Sequence, residues 1–113
     1  MPNVLPIAGW REKLLLILDR RTAFVVDGDS MLPVLKTGDK VIVDQQAAVA
    51  VGDIVLANHS YKQRSRLIKR VTEITELGDY FLSGDNPDVS TDSRTFGPVR
   101  ADTILGKVVC KLI

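Results

Sequence analysis

Six short runs rich in Val, Ile and Leu are spread along the chain, each bounded by a turn signal. They are AFVV (23–26), KVIV (40–43), DIVLA (53–57), RLIKRVTEI (66–74), YFL (80–82) and ILGKVVCKL (104–112). Gly-Asp occurs at 28–29, 38–39, 52–53, 78–79 and 84–85, so five of the eight glycines are followed by Asp. Gly supplies positive φ and Asp bonds its own local backbone, which makes these pairs turn signals. Short apolar runs between such turns predict an all-β meander or barrel. One segment breaks the pattern: in WREKLLLILDRR (10–21), Trp10, Leu14, Ile17 and Leu18 share a face at helical spacing. It predicts a short N-terminal helix closing one end of the β core. The second reading of the same segment is a peripheral foot on a membrane, with Trp and basic flanks at the interface. The organisation expected is an N-terminal segment over 1–22 and one domain over 23–113.

Composition bounds the picture without redirecting it. The chain has 113 residues, 45% apolar and 26% charged, with a formal net charge of +1. That suits one globular domain and gives no electrostatic signature of nucleic-acid binding. Cys110 is the one cysteine, so no intramolecular disulfide can form; alternation in KVVCKL places it in the core. With a single histidine, His59, a Cys/His zinc site cannot be assembled. The apolar run Leu14–Leu18 has five residues, against the ~20 that a membrane span needs. It also lacks the small-residue cleavage site of a signal peptide. The expectation is a soluble, unexported protein needing no metal or cofactor.

Three places carry candidate chemistry. In DGDSMLPVLKTGD (27–39), Gly28 permits a tight turn and Pro33 forbids a regular strand, so Ser30 opens a turn. There it serves either as a capping residue or as a nucleophile beside turn amides able to hold an oxyanion. A nucleophile needs a base. His59 is one option; the other is a lysine kept neutral by apolar burial away from carboxylates. In RLIKRVTEI, strand alternation puts Leu67, Lys69 and Val71 on one face and Ile68, Arg70, Thr72 and Ile74 on the other. Lys69 is therefore either this base or a lysine snorkelling from a sheet edge. Third, GDNPDVSTDSRTFGP (84–98) is a polar loop in which Asp92 or Asp88 can pair with Arg94 and Asn86 can bond backbone. It reads as a self-satisfied surface loop or a functional one.

Together these segments resemble one family. GDSMLPVLKTGD resembles the nucleophile box of the serine–lysine signal peptidases, LIKRV their Lys-Arg base box, and GDNPDVSTDSRTFGPV their third box. The resemblance implies Ser30 as nucleophile and Lys69 as general base. It implies Ser90 as the hydroxyl orienting the lysine amine, with Gly84, Asn86, Asp92 and Arg94 bracing strand and loop. Gly28 stands where some members place a Ser hydroxyl, which leaves the oxyanion to amides of the turn through Ser30 and Met31. The implied fold is the coiled β-sheet of signal peptidases and LexA-like self-cleaving repressors. Small size, no transmembrane anchor and the wording of the third box most resemble the proteases that mature nickel-type superoxide dismutase. By that likeness the substrate is a precursor whose N-terminal propeptide is removed in the cytoplasm, and the protein is expected to be cytoplasmic.

Other readings remain beside this one. A signal peptidase-like enzyme cutting secretory precursors shares every box. A self-cleaving repressor needs a DNA-binding domain upstream, and 29 residues precede Ser30 here. A non-enzymatic binding module, for nucleic acid through YKQRSRLIKR (61–70) or for a metalloprotein, is the reading from another class. It is set against the density of catalytic wording.

Overall fold

A computed structural model describes residues 5–17, 21–58 and 66–112, with the backbone alone for 15–17. All six apolar runs form strands: β1 (Thr22–Val25), β2 (Lys40–Asp44), β3 (Ile54–Asn58), β4 (Arg66–Ile74), β5 (Tyr80–Ser83) and β6 (Ile104–Leu112). They build one six-stranded sheet in the order β1-β2-β6-β3-β4-β5, with every strand pair antiparallel. The mainly β expectation holds. β6, last in sequence, sits between β2 and β3, while β1 and β5 are the edges.

Register shifts at Ile42/Val43, Leu56/Ala57 and Val71/Glu73 interrupt three of the ladders. Such bulges bend a strand and increase its twist. The sheet coils accordingly. Although three strands separate β1 from β4 in the sheet order, Phe24 of β1 and Leu67 and Ile68 of β4 line the same cleft.

The largest core cluster joins Val41, Val43, Ile54, Leu56, Ile68 and Val108 of the sheet to Met31, Val34 and Leu35 of the turn after β1. Met31 and Leu35 are fully buried, each stabilising the fold by roughly 2 kcal/mol through burial. The turn is therefore anchored by its own side chains. A second cluster, Val55, Ala57, Val71, Leu82 and Val99, surrounds the middle of β4. Cys110 lies with Ala8 and Ile42 in a third, and burial pushes its thiol pKa up. It is a core residue, as expected.

The N-terminal helix needs correction. α1 spans Trp10–Ile17, and residues 18–20 of the expected helix lie outside the described residues. Its apolar face does not close the core: Trp10 is 79% and Leu14 46% exposed. Ala8 instead fills the site against Ile42 and Cys110. The helix is tied down by charge, Glu12 to Arg21 at 3.3 Å and Arg21 to Asp44 at 3.4 Å. The side chain of Ile17 and all of Leu18 lie outside the described residues.

Candidate active site

The turn that presents Ser30 is closed by backbone bonds at its base, Val26 N to Asp39 O at 2.8 Å and Gly38 N to Val26 O at 2.9 Å. Gly28 has φ +93°, the left-handed region where a side chain is strained. Its amide is not free, because it donates to Thr37 Oγ1 at 2.8 Å. Leu32 N bonds Asp29 O and Leu35 N bonds Met31 O. Among the described residues, the amides of Ser30 and Met31 have no protein acceptor, and the Ser30 hydroxyl caps no amide. Among the described residues the turn thus keeps a hydroxyl and two N–H donors unengaged.

Ser30 and Lys69 line one cleft, with Phe24, Asp27, Arg66, Leu67 and Ile68. Lys69 is only 5% exposed on an interior strand, opposite the fully buried Val55 of β3. It does not snorkel from an edge. Burial pushes its amine below the ordinary lysine value; the Asp92 charge opposes this and the Arg94 charge assists it. Among the described residues no carboxylate lies within ion-pair distance of Lys69, whose Nζ donates to Ser90 Oγ at 3.0 Å.

Behind Ser90 stands one carboxylate with five donors. Asp92 Oδ2 accepts from Ser90 Oγ, from Gly84 N at 2.8 Å and from Arg94 at 2.6 Å. Its Oδ1 accepts from Arg94 N at 3.1 Å and Arg94 Nε at 3.0 Å. Asp92 also caps the short helix α2 (Ser93–Phe96). Burial would raise its pKa, but bonds from Arg94, Ser90 and the Gly84 and Arg94 amides outweigh this and hold it well below the carboxylate range. Of the two acids open to Arg94 in the sequence, Asp92 is its partner.

Loop and turn are joined directly. Asn86 N donates to Ser30 O at 2.8 Å, and Asn86 Nδ2 to Asp29 O at 3.2 Å. A Cβ on Gly84 would lie 2.6 Å from Ser30 O and overlap Ser90 Oγ, so only glycine fits there. The structure therefore brings Gly84, Asn86, Ser90, Asp92 and Arg94 together behind Ser30 and Lys69. Met31 supports the turn from the core, and Gly28 supports its bend. His59 lies outside the described residues.

Sequence reasoning missed one pair. Arg70 grips Asp85 with two bonds of 2.9 Å and donates to Gly52 O at 2.7 Å. This ties β4 to the loop from the face opposite Lys69. Alternation had placed Arg70 on that face, but Asp85 read only as half of a Gly-Asp turn.

The sequence pattern of the Peptidase S24-like family matches residues 9–109. The chain belongs to that family. This S24-like chain is 29% identical to the mitochondrial ATP-independent inner membrane protease subunit 1a of Arabidopsis thaliana, covering 77% of this chain and 67% of that protein. It is 30% identical to mitochondrial inner membrane protease subunit 1 of Homo sapiens (75% and 65% covered). The subunit 1 of Schizosaccharomyces pombe is 29% identical (78% and 71% covered). The S24-like chain spans about two thirds of the length of these relatives.

Peptidase membership and likeness to signal-peptidase-type enzymes are thus supported. None of these names supports the narrower likeness to nickel-type superoxide dismutase maturation proteases. The cytoplasmic expectation is overturned, because the relatives are named for the mitochondrial inner membrane. It had rested on the likeness to the dismutase maturation proteases and on the lack of a long apolar run or signal peptide. Among the described residues no helix is long and apolar enough to cross a membrane, but a chain without such a helix can still work at a membrane surface.

Proposed function

We propose that this chain is a serine endopeptidase that cuts precursor proteins with Ser30 as nucleophile and Lys69 as general base. The observation that carries the reading is a lysine buried beside Ser30 in one cleft, with a hydroxyl for a partner instead of a carboxylate. Ser90 has one proton, and it goes to Asp92. Its oxygen can then only accept from Lys69. In a neutral amine this leaves the lone pair for another partner.

Neutral Lys69 takes the Ser30 proton as Ser30 Oγ attacks the scissile carbonyl. The oxyanion is met by the amides of Ser30 and Met31. The C–N bond breaks as the Lys69 ammonium returns the proton to the leaving amine, giving an acyl-enzyme. Water then repeats the cycle, with Lys69 as base, and frees the new carboxylate. The substrate enters as an extended strand along the open edge of β1, which leads into the Ser30 turn.

For the precursor, the wording of the 84–98 loop favours nickel-type superoxide dismutase and the three boxes together favour a secretory-type precursor, while the relatives are named as proteases of the mitochondrial inner membrane. Incubating the protein with one precursor of each kind and sequencing the new N-termini decides between them. The same assay tests the dyad. Ser30→Ala and Lys69→Ala should remove cleavage and His59→Ala should retain it; activity in Lys69→Ala that disappears in His59→Ala would sink the lysine mechanism.

A further inference from the structure

Seven large apolar side chains are exposed among the described residues. Four belong to the N-terminal face: Ile7 (54%), Trp10 (79%), Leu14 (46%) and Val25 (53%). Trp10 and Leu14 are four residues apart in α1 and so stack on one helix face. Ile7 precedes them, bridged to Lys111 of β6, and its neighbour Ala8 packs on Ile42 and Cys110. Val25 joins them through the sheet. Ala23 pairs with Ile42 and Val25 with Lys40; side chains directly opposite across a ladder share a face, as do alternate residues of a strand. Val25 and Lys40 therefore lie on the Ile42 face, the one that the N-terminal segment covers.

Charge on this face is sorted by sign. Glu12, the acid of α1, is half-buried against Arg21, which also reaches Asp44. Arg11, Lys13 and Lys40 are exposed. Among the described residues, the outward surface is thus a tryptophan and three aliphatic side chains among three cations. A patch of this make-up marks a docking surface. A second copy is a poor occupant, since a two-fold contact would set these cations against their own copies. An anionic lipid surface complements both components. α1 has eight residues, ~12 Å of helix against ~30 Å of hydrocarbon, so it would lie on a bilayer and not cross it.

We propose that this face seats the protein on an anionic membrane surface, with Trp10, Leu14, Ile7 and Val25 in the headgroup boundary and Arg11, Lys13 and Lys40 against lipid phosphates. The seating is independent of the dyad. Its consequence is positional: Val25 faces the lipid while its neighbour Phe24, on the opposite face of the same edge strand, lines the cleft, so the β1 edge stands between the lipid surface and the cleft.

Trp10 is the only tryptophan in the chain, so its emission reports the seating directly. Vesicles of equal parts phosphatidylcholine and phosphatidylglycerol should shift the emission to the blue and sediment the protein, and added salt should reverse both. Leu14→Asp with Ile7→Asp should lower partitioning on the order of ten-fold or more. The triple variant Arg11→Glu, Lys13→Glu, Lys40→Glu should lower it similarly; its sites are exposed, so it serves if the apolar variant misfolds. Circular dichroism and cleavage of a soluble peptide should match the parent. Emission unchanged by the vesicles would overturn the proposal. So would a blue shift without lipid that grows with protein concentration, the signature of a second copy, or equal partitioning by the triple variant.

Discussion

Lys69 and Arg70 are consecutive cations in β4, and the strand sends them to opposite faces and opposite treatment. Lys69 enters an apolar surround, meets a single hydroxyl, and has its ammonium form disfavoured by burial. Arg70 meets a carboxylate through two bonds and a carbonyl through a third, and the Asp85 bonds raise its pKa. The lesson lies in the partners, since both side chains are largely withdrawn from water. A carboxylate fixes a buried cation in its charged form, whereas a hydroxyl satisfies an amine in either protonation state. One strand can therefore carry a cation suited to proton transfer and, one residue later, a cation suited to holding a loop.

The largest test of that contrast removes the reactive side. Ser30→Ala and Lys69→Ala should each reduce precursor cleavage by at least ~10³-fold with the fold intact, measured as product formed per enzyme. Next, Ser90→Asp gives Lys69 the kind of partner that Arg70 has. A carboxylate favours the ammonium, so the alkaline-rising limb of kcat/KM should move to higher pH and neutral activity should fall by roughly 10²-fold. In the parent, that limb should lie below the ordinary lysine value of 10.5, because burial lowers the amine. A limb that stays in place in Ser90→Asp would break the comparison.

Disarming the other cation should be felt in stability first. Asp85→Asn leaves Arg70 half-buried without its carboxylate and should cost about 2 kcal/mol by denaturant titration. Cleavage should weaken less than in the dyad variants, because Asp85 acts on Ser30 only through the loop. The smallest effect on stability is expected from Lys69→Met, which should hold or raise Tm although cleavage is lost as in Lys69→Ala. The folded-state pKa of Lys69 is lowered, so the unfolded chain binds its proton more readily. Burial of Lys69 thus costs stability below the folded value, and the cost disappears as pH rises towards 10.5. The advantage of Lys69→Met should therefore shrink in alkaline buffer.

The strands were legible because each apolar run ends at a turn residue that the backbone needs there. Period-two alternation was enough to turn Lys69 inward, and proximity in sequence was enough to suggest Asp92 with Arg94. Contacts between distant segments were not legible. Asn86 meets the carbonyl of Ser30, and Arg70 meets Asp85, through a coiling of the sheet that local patterns do not encode. By local pattern Gly84 was one more turn glycine, and only the family resemblance marked it as a brace; what requires glycine there is the approach of Ser30 O and Ser90 Oγ. The helix shows the opposite failure. Its spacing correctly grouped Trp10 with Leu14, but periodicity says which residues share a face and not what covers it.

The direction of the hydrogen bonds behind Lys69 has a dynamic consequence. Arg94 and Ser90 both donate into Asp92, and Lys69 donates into Ser90, so every bond in the relay points the same way. A proton arriving on Lys69 reverses none of them: the ammonium still donates to Ser90, and Ser90 still donates to Asp92. In the proposed mechanism, the charge would come and go within each turnover without a hydroxyl rotating or a loop shifting. A site working this way would cycle with little reorganisation, because its dipoles are already set for both protonation states.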